Sequence, residues 1–263
     1  MNAVAAKHPE LVYCMDFNQR TNPLYKKVKD LIDSGDLGEM TRVIWIVTDW
    51  YRSQSYYDQG GWRATWDGEG GGVLLNQNPH NLDLWQWMCG IPKRVKSQVY
   101  YGKHRNIEVE DDLYALVEYE NGATGCYITT VGDAPGTNRL EIDGTNGKIV
   151  VENNELTFYR LRIPEPEFNA TYKGGLGKPE VWECKIPIKG TYTSHPGIIN
   201  NFCDCILKGA KPIAPGAEGI RGLQISNAIH LSSWLNGEWV DIPVNGDLFI
   251  EKLQEHCKEP VTK

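Results

Sequence analysis

Apolar spacing along the chain sets the first expectations. The run Leu11-Val-Tyr-Cys-Met-Asp-Phe17 is short and mostly apolar, which suits a buried strand, and residues 2–9 read as the end of a helix before it. After the polar turn 18–22, Asn22 and Pro23 supply a helix N-cap and a first helical residue. Leu24, Val28, Leu31 and Ile32 then fall on one face of a helix reaching about Asp33, and Gly35 supplies its stop. From Met40, Val43, Trp45 and Val47 alternate with Ile44, Ile46 and Thr48, so both faces are largely apolar and the segment predicts a central strand. Residues 50–69 form an aromatic, glycine-containing loop, and Gly70-Gly71-Gly72 opens a second helix through about Met88, closed by Gly90 and Pro92.

The stretch from Arg94 to Lys189 is mostly β, with candidate strands at 94–103, 112–120, 123–131, 137–143, 147–152, 155–161 and 180–188. Asn121-Gly122 and Asn153-Asn154 are two-residue hairpin signals, because Asn and Gly accept positive φ. Consecutive hairpins imply an antiparallel meander. Residues 163–178, with Pro164, Pro166, Gly174, Gly175 and Gly177, read as a mobile loop. The tail is helical at 196–208, 217–235 and about 247–257, with a short strand at 238–243. The sum is an α+β fold: one open, mainly antiparallel β-sheet with helices on one face. Strands such as 113–117 are too apolar for full exposure, so the other face predicts a homodimer or homotetramer.

Composition narrows the classes. The chain has 263 residues, 27 basic against 34 acidic, a net charge of −7. That argues against a nucleic-acid or anionic-membrane partner, which needs a basic excess. No run approaches the ~20 apolar residues of a membrane span, and residues 1–11 lack the apolar core of a signal peptide. Seven scattered cysteines, an odd number, read as free thiols of a cytoplasmic protein.

The candidate chemistry lies in Gly70-Gly-Gly-Val-Leu-Leu-Asn-Gln-Asn-Pro-His-Asn-Leu-Asp83. Asn76, His80, Asp83 and Trp87 are spaced i, i+4, i+7 and i+11 and would share one helical face. By spacing alone His80 is either a packed structural histidine or a functional imidazole. A zinc site from His80 and Asp83 finds no further ligand cluster, and no metal is expected.

This block resembles the Gfo/Idh/MocA oxidoreductases, the glucose–fructose oxidoreductase and inositol dehydrogenase group, whose signature is a triple glycine, an Asp, a His four residues on and an Asp three further. Phe17-Asn-Gln-Arg20 with Pro23, Ser34-Gly-Asp-Leu-Gly38 and Trp62-Arg63 are similar as well. So are Asn201-Phe202, Lys208-Gly209, Glu218-Gly219 and the segment from Ser232 to Val240-Asp-Ile-Pro243. The resemblance implies a dihydrodipicolinate reductase-like substrate-binding and oligomerisation domain over 21–263. It implies oxidation of a secondary alcohol of a sugar, cyclitol or glycoside, with hydride passing to a nicotinamide, and His80 as the general base for the hydroxyl proton. The family's Asp position holds Asn76 here. Asn is no base, so positioning of substrate or imidazole is the role left to it.

Trp62 and Arg63 are the preferred carbohydrate contacts, since sugar C–H faces stack on flat rings. The aromatics at 50, 51, 56 and 57 could equally line a subunit interface. Arg20 reads as a substrate contact or a cap on a domain junction. Asp83 and His195 are further substrate-binding candidates, while His104, His230 and His256 read as surface or packing residues.

Neither a G-x-G-x-x-G turn between strand and helix nor a Glu-Lys-Pro motif before Phe17 is found. Residues 1–20 are therefore expected to be a remnant, the last helix and strand of a dinucleotide-binding Rossmann domain. NAD or NADP is expected only for a longer form and no cofactor for this chain alone, which would be inactive in isolation. A separate subunit supplying the cofactor is one variant of this reading. The alternative is a non-catalytic sugar-binding or dimerisation scaffold.

Overall fold

The computed structural model describes residues 1–258; residues 259–263, including Glu259-Pro260 and the end of the expected second domain, lie outside the described residues. In chain order the helices and strands are α1 (Asn2–Ala5), α2 (Pro23–Asp33), β1 (Met40–Val47), α3 (Gln54–Tyr57), α4 (Pro79–Cys89), β2 (Arg94–Tyr101), β3 (Glu110–Glu118) and β4 (Thr124–Thr130). They continue with β5 (Asn138–Gly144), β6 (Gly147–Glu152), β7 (Glu155–Leu161), α5 (Glu165–Thr171), β8 (Val181–Lys185), α6 (Ser194–Lys208), α7 (Gly219–Trp234), β9 (Val240–Asp241) and α8 (Gly246–Lys258).

The strands form one open sheet in the order β8-β7-β6-β5-β1-β4-β3-β2-β9. β1 is fifth of nine, the central place that its two apolar faces required. It pairs antiparallel with β5 and parallel with β4, and the parallel pair is the one departure from the expected meander. Side-chain alternation separates the faces. Val43, Trp45, Val47, Val95, Val99, Leu113, Ala115 and Val117 are buried beneath the helices, whereas Tyr114 (48%) and Leu116 (49%) are exposed on the other face.

α7 lies along β2 and is tied to it: Ser97 N–H and Val99 N–H donate to Ser232 Oγ and Ser233 Oγ at 2.9 and 3.1 Å. Its buried Ile225, Ala228, Ile229 and Leu231 complete the core, each larger side chain contributing about 1.5–3 kcal/mol. The rings of Trp45, Trp85 and Tyr127 pack at the centre, with Trp85 and Tyr127 centroids 5.1 Å apart.

Four expectations change. Residues 11–17 are not a strand; a single bridge, Cys14 to Pro215, holds them against the α6–α7 connection, because no neighbouring strand runs alongside. The segment 163–178 contains α5, whose first turn carries Glu165 and Glu167, favourable at a helix N-terminus. The Asn121-Gly122 turn is wider than a two-residue hairpin: Gly122 N–H donates to Tyr119 O at 3.0 Å, and only Gly122 (φ 83°) is left-handed. Asn153-Asn154, with φ of 52° and 59°, is the tight turn expected.

The fourth concerns the helix after the glycines. It begins at Pro79, not Gly70. Residues 72–78 make one turn in which Asn76 and Gln77 N–H donate to Gly72 and Val73 O, and Asn78 then leaves helical geometry. Proline lacks an N–H and pushes the residue before it out of the α region, so Pro79 restarts the helix.

The seven cysteines are free thiols, and among the described residues no helix is long and apolar enough to cross a membrane. Among the described residues no glycine-rich strand–turn–helix crossover is present, and Gly174–Gly177 lies between α5 and the edge strand β8.

Candidate active site

The glycine run is built for close approach. Gly70 has a φ of 75°, and a Cβ on Gly72 would stand 2.0 Å from the Glu110 carbonyl oxygen. In that contact Val73 N–H donates to Glu110 O at 3.0 Å. The Glu110 carboxylate accepts from Gly72 N–H at 2.8 Å and Leu74 N–H at 2.9 Å. One buried acid thus clamps the turn that leads into α4. Burial pushes its carboxyl up to about 7, against the backbone N–H donors that favour its charge. His230 Nε2 lies 3.6 Å from Glu110 Oε2. His230 is buried among Tyr101, Trp66 and Trp234, a packing position as the sequence suggested.

α4 presents His80 in its first turn, with Asp83 and Trp87 on the same face. Arg20 from the 3-10 turn Asn18–Thr21 meets that face. Its Nε and Nη2 donate to both Asp83 oxygens at 2.8 and 2.6 Å, and Nη1 donates to Glu218 Oε2 at 2.6 Å. The guanidinium also lies 5.5 Å from the Phe17 and Trp87 rings. Burial opposes the Arg20 charge, but the bonds to Asp83 and Glu218 outweigh it. Both Arg20 and Asp83 side chains are 1% exposed. The expectation that they face substrate is therefore corrected: each satisfies the other, and together they brace α4 against the Asn18–Thr21 turn.

His80 is partly exposed, and its Nδ1 is buried with no hydrogen-bond partner among the described residues. Burial is the largest influence and holds its imidazole below the usual value; Asp83 and Asp16 pull the other way, and His195 adds to the lowering. The ring is therefore held toward its neutral form, which can accept a proton. His195 lies close enough to His80 to add to that lowering. Its Nδ1 lies 2.7 Å from Asp16 Oδ2, and Asn18 Nδ2 donates to its Nε2 at 3.1 Å. Asn18 Nδ2 also donates to Ser194 Oγ at 3.1 Å, and Ser194 has a left-handed φ of 51°. Asp16 and Asn18 were not singled out from sequence. Their only signal is adjacency to Phe17 and Arg20; their partners lie some 180 residues away.

Asn76 does not share the His80 face. It precedes the break at Pro79 and turns toward the aromatic loop, where Nδ2 donates to Glu69, Oδ1 accepts from Gln77 Nε2 at 2.7 Å, and Tyr56 OH donates to Oδ1 at 3.3 Å. Arg63 Nη1 donates to Tyr56 OH at 3.0 Å, and its guanidinium lies over the Tyr56 and Trp62 rings at 4.8 and 4.5 Å. Trp62 is 53% exposed. Apart from Arg20 and Asp83, the expected residues thus form two groups: His80 and His195, joined by Asp16 and Asn18, and Asn76, Arg63 and Trp62, joined by Tyr56. Four Cα steps from 76 to 80 keep the groups' anchors within about 15 Å.

Residues 25–150 match the GFO/IDH/MocA C-terminal domain. The chain is 24% identical over 272 residues to the levoglucosan dehydrogenase of Pseudarthrobacter phenanthrenivorans, an alignment covering 91% of this chain and 69% of that one. Its fold is similar to the WlbA dehydrogenase from Bordetella pertussis in complex with NADH and UDP-GlcNAcA, with a TM-score of 0.74, 24% identity, and coverage of 92% of this chain and 67% of that one. Levoglucosan dehydrogenase in complex with NADH and levoglucosan gives a TM-score of 0.70 at 21% identity, over 91% of this chain and 68% of that one. Residues 25–150 thus form a GFO/IDH/MocA C-terminal domain, and the glycine turn, His80 and Asp83 all lie within it.

Proposed function

We propose that this chain is the substrate-binding, proton-accepting half of a nicotinamide-dependent dehydrogenase acting on a secondary alcohol of a sugar, cyclitol or glycoside. The observation that carries it is His80: an imidazole favouring its neutral form, held at the first turn of α4 by a glutamate-clamped glycine turn and a buried Arg20–Asp83 brace. Its role is to take the hydroxyl proton as the carbinol carbon loses hydride. His195, oriented by Asp16 and Asn18, borders the same space, and Trp62, Arg63 and Asn76 contact the sugar. Arg20 and Asp83 act through α4 and not on substrate. The relatives with NADH support the nicotinamide, which would be held by a dinucleotide-binding domain outside the described residues. The uncovered sheet face pairs with a second copy of the chain.

Two measurements test this. Titrated through its tryptophan fluorescence, the isolated chain should respond to a sugar and not to micromolar NADH; a micromolar NADH response would overturn the division of labour. In the presence of a dinucleotide-binding domain, His80→Ala should lower turnover of the alcohol by about 10²–10⁴-fold with sugar binding retained. Unchanged turnover removes His80 from the mechanism. A chain that binds sugar yet never turns over favours the scaffold alternative, for which Asn76, held by Glu69 and Gln77, is the motivating residue.

A further inference from the structure

Three arginines around the aromatic loop form no ion pair among the described residues, although the chain is acidic. Arg20, Arg94, Arg139, Arg162 and Arg221 all form ion pairs. Arg52, Arg63 and Arg105 lie instead over rings: Arg52 over Trp50 and Tyr56 at 5.3 and 5.2 Å, Arg63 over Tyr56 and Trp62, and Arg105 over Tyr51 at 5.1 Å. None has a carboxylate of the described residues within ion-pairing distance. The acids nearby in sequence are engaged elsewhere. Asp49 accepts from Asn138, Asp58 from Gln54, Glu69 from Ala64 N–H and Asn76, and Glu108 from Trp66 N–H.

Arg105 is spent on backbone carbonyls of 52, 104 and 131. Arg52 and Arg63 are less committed, Arg52 donating only from Nη1 to the Tyr51 carbonyl at 2.9 Å. Arg52 Nε is buried with no partner, and Arg63 makes one bond, to the neutral Tyr56 hydroxyl. Two guanidinium groups therefore share the Tyr56 ring, and the Glu69 carboxylate joins this group only through Asn76. Like charges at this spacing repel, and stacking on aromatic faces offsets only part of that. A guanidinium fixed in this way loses little further freedom on meeting a planar anion, which it can bind through two parallel N–H donors.

The geometry points to a substrate that carries an anionic group, a carboxylate or a phosphate on the sugar, received by Arg63 with Arg52 behind Tyr56. This rests on the sugar-binding reading above and sharpens it from sugars in general to acidic ones. Tyr56 joins this anion site to Asn76, four residues before His80, so the reacting hydroxyl and the charged group would be read by the two ends of one short segment.

The test is a fluorescence or calorimetric titration of the chain with D-glucuronate, D-galacturonate and D-glucose 6-phosphate against D-glucose and D-galactose. At low ionic strength at least one acidic sugar should bind tenfold or more tightly than its neutral parent, and the preference should shrink in 0.5 M NaCl. Whether the uronates or the phosphate lead identifies the anion. Arg63→Gln should abolish the preference at an unchanged melting temperature, and Arg63→Lys should restore part of it. Neutral sugars that bind as well as acidic ones, or a preference that survives in Arg63→Gln, overturn this inference and leave the sugar reading standing. Absence of binding by every sugar removes both.

Discussion

Arg20 shows how one side chain can hold a site without touching a ligand. It joins the Asn18–Thr21 turn to α4 and to Glu218, just before α7, through charge-assisted bonds of 2.6–2.8 Å. Arg20→Ala would leave Asp83 buried and unpaired, a loss of about 3–5 kcal/mol, readable as a lower denaturant midpoint; a loss under 1 kcal/mol would mean that water reaches Asp83. His230 and Glu110 predict the pH dependence. Burial lowers His230 from 6.5 to about 3 and raises Glu110 from 4.5 to about 7. A histidine lowered in the fold contributes fully above about 6.5, and its contribution is lost as pH falls toward 3, by about 1.4 kcal/mol per unit. A glutamate raised in the fold works in the opposite sense: its contribution is complete below about 4.5 and lost as pH rises through 7. The two slopes nearly cancel between 4.5 and 6.5, and only the histidine's remains below. The melting temperature should therefore stay level from pH 6.5 to 4.5 and then drop, with a shallower drop in His230→Phe. A steady fall starting at 6.5 would contradict the opposition of the two groups.

At the scale of elements, the glycine turn and α4 decide where His80 points. Gly72→Ala places a methyl group against the Glu110 carbonyl and should cost about 1–3 kcal/mol or more, whereas Gly61→Ala meets nothing within 4 Å and should stay within about 0.5 kcal/mol. Equal effects at the two positions, measured by urea unfolding, would show that the turn yields. The strands were legible because apolar runs bounded by turn residues mark most of them, and eight of the nine begin and end within two residues of the runs that predicted them, β8 alone ending three residues early. The start of α4 was not legible. Helical spacing runs through Asn76, His80 and Asp83 without interruption, and the local effect of Pro79 outweighs it. That single proline moves Asn76 from beside the histidine to the aromatic loop.

At the scale of the molecule, one sheet face is covered by helices and the other is not. Tyr114 and Leu116 stand exposed on β3, with half-buried Ile44, Ile46 and Ile128 beside them on β1 and β4. Leu116→Asp should convert a dimer or larger assembly into monomers in sedimentation analysis while leaving the monomer's fold intact, because the side chain is already half in solvent. A wild-type chain that sediments as a monomer would refute the pairing of these faces.

The sequence by itself determined the α+β class, the central place of β1, the uncovered face, the glycine turn and His80 as its imidazole, because each is written in local periodicity or in a contiguous motif. The tertiary structure decided what has no local trace: the parallel pairing of β1 with β4, the Glu110 clamp, the burial of Arg20 against Asp83, and the meeting of Asp16 and Asn18 with His195. Those contacts join residues tens to nearly two hundred positions apart. Whether a charged side chain faces a ligand or another side chain depends on what the fold brings opposite it, and that is a property of the packed chain alone.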